Sequence, residues 1–325
     1  MNWLSFVFSF IISFIGLWIY TKVAVKLGIV DVPNERSSHT QVTLRGGGFV
    51  LLLICVTLLF FNPREFLLPL SLIIGIITGF LDDRYGLSTI IRFLLYLASA
   101  ALLLFGVLEL HTFDTWIWIP LFIVMLGAVN TYNFMDGING ITALYSIVFL
   151  GSVDYLLYDL DYLQNVDSLL GFLAFFIAFI YFNHRKKAIL FLGDAGSVSM
   201  GLLACFFVVY LGLKLQTWTP ILLLGVYGVD SVGTIVIRLI KRENILQAHK
   251  SHLYQDLVHL KQLPHLRVSW IYAIVQLTIN GIFIYTLPLK QHNIIVLIIF
   301  ILLTLTFILF KRRIYGNQLF TKLAH

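Results

Sequence analysis

The sequence predicts an all-α protein, a polytopic integral membrane helical bundle of about eleven transmembrane helices, with ten as the nearest alternative count. Two observations predict it. The 325 residues are 59% hydrophobic and only 12% charged, with a mean hydropathy of +0.93, a composition that no water-soluble surface of this size tolerates. The apolar residues also gather in runs approaching the about 20 residues that a spanning helix needs. These runs lack the alternation of apolar and polar residues expected of barrel strands, and backbone in lipid must satisfy itself within its own segment.

The first run, 3–21, has no basic residue before it and is followed by Lys22 and Lys26. It reads as a retained anchor with the N-terminus outside, not as a cleaved leader. The run 47–61 opens on the glycines Gly46 to Gly48, and 66–81 stops at Asp82-Asp83. Next come 89–108 and 116–130, the latter ending in a stripe of asparagines. Between 138–153 and 168–182 lies a segment carrying Asp154, Asp159, Asp161 and Asp167 without one basic residue, which suits an outer loop. The run 195–212 starts beside Asp194, 218–238 holds Asp230 in its interior, and 268–287 and 293–310 complete the set ahead of Lys311-Arg312-Arg313.

Alternating from an outside N-terminus places the C-terminus in the cytoplasm. Only Arg64, Lys214 and Lys290 of the 22 Lys and Arg then fall on the outer side, the bias that the positive-inside rule describes. The net charge of +6 is therefore an orientation signal, and no nucleic-acid partner is expected. Cys55 and Cys205 lie inside apolar runs, so neither a disulfide framework nor a cysteine metal cluster is indicated. No repeat or low-complexity linker divides the chain, and residues 1–325 read as one domain.

The unusual polar clusters fall in cytoplasmic loops at 22–46, 82–88, 130–140, 183–197 and 239–267. In DVPNERSSHTQVTLRGGG, from Asp31 to Gly48, Pro33-Asn34 sets a turn, Arg36, His39 and Arg45 supply cations, and the glycines let backbone come close. Such a place suits an anion, although a solvated positive loop would look the same. Asp82 and Asp83 repel each other unless a cation joins them, and Mg2+ is held by one or two carboxylates plus substrate phosphates. Pairing with Arg84 is the simpler reading. Asn130, Asn133, Asp136 and Asn139 recur at every third residue, a stripe that should face a wet cavity. Asp194 sits between glycines at a helix start, where it can cap backbone N–H groups, while the flanking glycines suit a ligand's approach. His249, Lys250 and His252 lie in the longest loop, near Arg238, Lys241 and Arg242, where cations suit a diphosphate. Solvated imidazoles on a surface helix are the plainer explanation. Asp230, an acid inside a span, reads equally as functional or as a hydrogen-bond partner.

The set DVPNERSSH…RGGG, Asp82-Asp83, NTYNFMDGING at 130–140, FLGDAGS at 191–197 and AHKSH at 248–252 resembles the polyprenyl-phosphate N-acetylhexosamine-1-phosphate transferases, glycosyltransferase family 4 of the WecA and MraY type. The resemblance implies a bacterial inner-membrane enzyme with its site facing the cytoplasm. Its substrates would be undecaprenyl phosphate and a UDP-N-acetylhexosamine, its products UMP and a lipid diphosphate sugar, and its cofactor Mg2+, with Mn2+ as a substitute. Asp194 then looks like the main metal ligand, with Asn133 and Asp82 beside it and Asp83 as the second of the acidic pair. Asp136 and Asn139 look like nucleoside-facing residues, with Asn130, Asn34, Arg36, His39 and Arg45 as further substrate contacts. His249, Lys250 and His252 look like the basic loop that meets the diphosphate or sugar. AHKSH followed by LYQ departs from the HxHH form of the muramoyl-pentapeptide branch, so the chain looks closer to enzymes that initiate O-antigen or other surface polysaccharides. A homodimer is compatible with the family. The competing class is a membrane transporter or lipid flippase, for which Asp230 would be the coupling charge.

Overall fold

The computed structural model describes residues 3–33, 41–61, 66–107, 118–159, 166–245, 247 and 249–320. It is all-α apart from one two-residue hairpin ladder. The described residues form twelve α-helices: α1 Trp3–Leu27, α2 Leu51–Phe61, α3 Leu67–Tyr85, α4 Thr89–Ala101, α5 Trp118–Met135, α6 Ile141–Asp159, α7 Val166–Asn183, α8 Asp194–Leu215, α9 Gly225–Ile240, α10 Leu253–His259, α11 His265–Thr286 and α12 His292–Tyr315. Each apolar run of the sequence overlaps one of these helices, and α10 is the extra one, set in the loop between α9 and α11. By length and composition, six are long and apolar enough to cross a membrane, counting the unit Thr219–Ile240 as one.

Three runs are not uniform helices. A 3-10 turn, Gly47–Val50, leads into α2, a π turn, Leu102–Val107, follows α4, and a 3-10 turn, Thr219–Leu224, precedes α9. Pro220 stands at the start of that last turn, where a missing N–H costs little. The break frees backbone groups inside the bundle, and Gln276 of α11 takes them up. Its Oε1 accepts from the Val226 N–H at 2.9 Å and from the Tyr145 hydroxyl at 2.6 Å. Its Nε2 donates to Leu222 O at 3.0 Å and to Asn280 Oδ1 at 2.6 Å. Asn280 in turn donates to Ser152 Oγ at 2.8 Å. Irregular backbone survives at membrane depth only when protein groups satisfy it in this way.

Helix α8 lies at the centre, packed between α3 and α5, while α1 packs on α7, α6 on α7 and α11, and α9 on α12. It is buried on all sides from Asp194 to Phe207, as a helix apolar all round must be. By contrast α12 leaves Leu297, Ile301 and Leu305 exposed. At the end where α3 and α5 finish and α8 begins, strands β1 Val30–Asp31 and β2 Thr43–Leu44 pair antiparallel, with Val30 opposite Leu44. The segment after β2 is then laced to the one before α8. The Phe191 N–H donates to Leu44 O at 2.8 Å, the Gly47 N–H to Phe191 O at 2.9 Å and the Gly48 N–H to Leu192 O at 2.8 Å. This main-chain stitching carries Arg45 to the start of α8.

Candidate active site

Arg45, Asp83, Asn133 and Asp194 meet at that end of the bundle. Arg45 Nη2 donates to Asp194 Oδ1 at 2.9 Å and lies 2.6 Å from Asp83 Oδ1. Asn133 Nδ2 donates to Asp194 Oδ2 at 3.2 Å. The Asp194 backbone N–H donates to Asp83 Oδ2 at 2.9 Å, so Asp83 caps the start of α8. Arg45 is fixed from behind by Tyr20, whose hydroxyl donates to Arg45 O at 2.8 Å. Two carboxylates around one guanidinium leave an excess of one negative charge, which invites a further cation. The Asp83 side chain is 0% exposed and that of Asp194 12%. Of the two, Asp194 keeps the exposed portion, and Asp83 is the one that holds Arg45 and α8 in place.

The glycines serve the chain's own packing. A Cβ on Gly48 would stand 2.2 Å from Gly196 Cα, one on Gly79 2.4 Å from the Asp194 carbonyl carbon, and one on Gly193 2.3 Å from Asp83 Oδ2. Gly193 also holds φ at 73°, a left-handed value that favours glycine. Gly193 and Gly196 thus make room for the chain itself: Gly193 for Asp83, and Gly196 for Leu192, 2.3 Å from an added Cβ, and for Gly48, 3.0 Å from it.

Asp82 and Asp83 take different partners. Adjacent residues on a helix point about 100° apart, so Asp83 faces α8 and Asp82 faces α4. Asp82 Oδ2 accepts from Arg92 Nη1 at 2.8 Å and Oδ1 from the Leu87 N–H at 2.8 Å. Arg84, the partner of the simpler reading, donates instead to Leu27 O at the end of α1. Asp82 is thus paired with Arg92, and its charge also bears on Asp194, so it stands at the edge of the same cluster.

The polar stripe also divides. A repeat of three lags the helical turn by about 60° at each step, so the stripe drifts around α5. Asn133 points to Asp194, whereas Asn130 is exposed and stands outside the cluster. Asp136 follows the end of α5 and is half-buried. Burial pushes its carboxyl up to about 6. Asn139 is buried, and its Nδ2 donates to Arg185 O at 2.7 Å. That bond ties the turn to the loop before α8. Asn183, which the sequence reading missed, does similar work. Its Oδ1 accepts from the Gly140 N–H at 2.7 Å and its Nδ2 donates to Leu190 O at 2.9 Å. An amide closing an apolar run was the available signal.

In the last loop, His249 is half-buried with Nδ1 2.9 Å from Ser251 Oγ, and its ring lies 6.2 Å from that of Phe134. Burial first, then the neighbouring His252 ring and the cations Arg238 and Lys311, push its pKa down to about 3. The ring is therefore held toward its neutral form in the absence of a bound anion. Lys250 is half-buried. His252 is buried at the start of α10, 3.6 Å from Asp230 Oδ1, and is not presented to solvent. Arg238 is spent on Glu243 Oε2 at 3.0 Å and Asn244 O at 2.7 Å. Lys311 is buried against Asp256 at 2.6 Å, so it is no free inner-face cation. Asn34, Arg36 and His39 lie outside the described residues.

Residues 66–212 match the sequence profile of Glycosyl transferase family 4. The chain is 26% identical over 292 residues to the probable undecaprenyl-phosphate N-acetylglucosaminyl 1-phosphate transferase of Bacillus subtilis, covering 82% of this chain and 81% of that one. It is 26% identical to the undecaprenyl-phosphate alpha-N-acetylglucosaminyl 1-phosphate transferase of Yersinia pestis, over 76% of this chain and 74% of the relative. The Escherichia coli K12 protein of the same description is 27% identical over 75% and 73%.

Proposed function

From the premise that the chain belongs to glycosyl transferase family 4, in its polyprenyl-phosphate N-acetylhexosamine-1-phosphate transferase branch, we propose that it moves a sugar-1-phosphate from a UDP-N-acetylhexosamine to undecaprenyl phosphate. A lipid phosphate oxygen attacks the β-phosphorus, the bond from that phosphorus to the bridging oxygen breaks, and UMP leaves with the electron pair. The observation that carries this reading is the meeting of Arg45, Asp83, Asn133 and Asp194 at one end of the bundle.

The donor set fits a Mg2+ ion. Among the described residues no three His, Cys, Asp or Glu converge as a closed metal cage, but Mg2+ commonly takes one or two carboxylates and completes its shell with substrate phosphates and water. Asp194, with Asn133 beside it, would hold the ion. When bound, it would supply charge neutralisation across the diphosphate. Asp83 keeps Arg45 in place, and Arg45 offers the substrate phosphates a fixed cation. A phosphate monoester with a second pKa of about 6 is already largely dianionic near neutral pH, so no side chain needs to activate the nucleophile. Eleven spans, an outside N-terminus and a cytoplasmic site at the bacterial inner membrane complete the proposal, together with a role in initiating O-antigen or another surface polysaccharide. The transporter alternative is the weaker reading because Asp230 is taken up by the start of α10 and by Tyr272 of α11.

Purified protein given undecaprenyl phosphate and a panel of UDP-sugars should release UMP with at least one of them, and EDTA should stop the release until Mg2+ is restored. No release with any sugar would refute the function, and release that persists in EDTA would refute the metal. UMP exchange into UDP-sugar without lipid would favour a covalent aspartyl route over direct attack.

Asp136 adds a pH dependence. Its raised pKa means that the folded state binds the proton more tightly, so its stability contribution is present at low pH and is lost as pH rises through about 6. Binding runs the opposite way, because a nucleobase N–H needs the ionised acceptor. The KM for the UDP-sugar is expected to rise as pH falls below about 6, and Asp136→Asn should flatten that profile. An unchanged profile in Asp136→Asn removes the residue from the nucleoside site.

A further inference from the structure

Asp230 is the most heavily bonded carboxylate outside the cluster. It sits in α9 and is 2% exposed. Its Oδ1 accepts from the Leu253 N–H at 2.8 Å and from Thr234 Oγ1 at 3.3 Å. Its Oδ2 accepts from the Tyr254 N–H at 3.2 Å and from the Tyr272 hydroxyl at 2.6 Å. Leu253 and Tyr254 are the first two residues of α10, so an acid from another helix satisfies N–H groups that a helix start leaves open. From there the contacts run toward the site. The Tyr254 hydroxyl donates to Phe134 O at 2.8 Å, between Asn133 and Asp136 in the chain. That oxygen lies so near Gly137 that a Cβ there would come within 2.1 Å of it. The His252 ring stacks on Tyr254 and lies 4.9 Å from the His249 ring, and both histidine rings meet Phe134. On the far side Lys311 Nζ donates to Ser251 O and to Asp256 Oδ2. The segment from His249 to Asp256 is thereby clamped to the Asn133–Gly137 turn, and on α9 it is held by Asp230, which takes the two N–H groups at the start of α10, and by Thr234, whose hydroxyl donates to Ser251 O at 3.3 Å.

We infer that Asp230 is a positioning residue for the transfer reaction: by holding the start of α10 it sets His249 against the Asn133–Asp136 turn, without touching substrate itself. This rests on the function proposed above. The rise of α10 out of a covalently distant loop gives Asp230 leverage, since misplacement of a substrate-facing group by about 1 Å costs up to about a hundredfold in rate.

The test is a double-variant cycle on full-length protein in detergent, read as UMP release with undecaprenyl phosphate and the best sugar of the panel. Asp230→Asn keeps the shape and removes the charge, and is expected to lower kcat/KM by about tenfold to a hundredfold. His249→Ala should cause a comparable loss. Because Asp230 acts through His249, the double variant should fall within about twofold of His249→Ala alone. A role confined to stability would instead multiply the two losses. Should Asp230→Asn fail to fold, Tyr254→Phe carries the same cycle, since it keeps the ring and removes only the bond to Phe134 O. Wild-type kcat/KM in Asp230→Asn, or multiplicative losses in either cycle, overturns the inference while leaving the function intact. A wild-type protein that releases no UMP overturns both.

Discussion

Asp194→Asn is expected to lower UMP release by about a thousandfold or more while leaving yield, detergent elution and thermal unfolding close to wild type. Loss of activity follows from the Asp194 side chain being 12% exposed where that of Asp83 is 0%, with both Arg45 and Asn133 converging on it. Retention of fold follows from charge. Removing one partner of a buried ion pair strands the other at a cost of about 3–5 kcal/mol, but here two carboxylates share one guanidinium. The variant leaves Arg45 and Asp83 as a matched pair, 2.6 Å apart, and keeps an amide oxygen in reach of Arg45. UMP release at saturating Mg2+ and both substrates decides it, and activity within tenfold of wild type would refute the metal assignment.

Gly48→Ala should act through the fold. The added methyl would stand 2.2 Å from Gly196 Cα and N, and both are backbone atoms that no rotamer change can move. Overpacking of this kind costs about 1–3 kcal/mol, sometimes more, and here the strain falls on the stitching that sets Arg45. Both thermal stability and kcat/KM are therefore expected to drop together. Gly127→Ala in α5 is the matched control. No atom lies within 4 Å of its Cβ position, so alanine there should be neutral or stabilising by up to about 1 kcal/mol. If the two variants melt alike, the Gly48–Gly196 contact is not tight in solution.

The helices and the polar end were legible because both are written locally. Runs such as 195–212 announce a buried helix without reference to any other part of the chain, and DAGS and MDGING mark its polar neighbours. What was illegible depends on partners far away in sequence. Nothing around Asp82 says that Arg92 will take it while Asp83 turns to α8, because the split is decided by which neighbour each face meets. Arg45 reaches Asp194 through main-chain bonds to residues 191–192, and backbone pairing leaves no trace in side-chain type. Lys311 looked like one more inner-face cation until Asp256, 55 positions away, claimed it. Asp230 was ambiguous for the same reason. The break before α9 had a local sign in Pro220, but its answer in Gln276 lay on another helix.

That answer has a mechanical consequence. The Gln276 amide takes the Val226 N–H and Leu222 O, the Tyr145 hydroxyl takes the Tyr227 N–H, and Asn280 and Ser152 lock the amide's orientation. Straightening the segment would leave a glutamine side chain stranded among hydrocarbon, so the bend is a welded elbow and not a hinge. Any movement that admits a bulky lipid must come from the parts held by fewer bonds on either side of it.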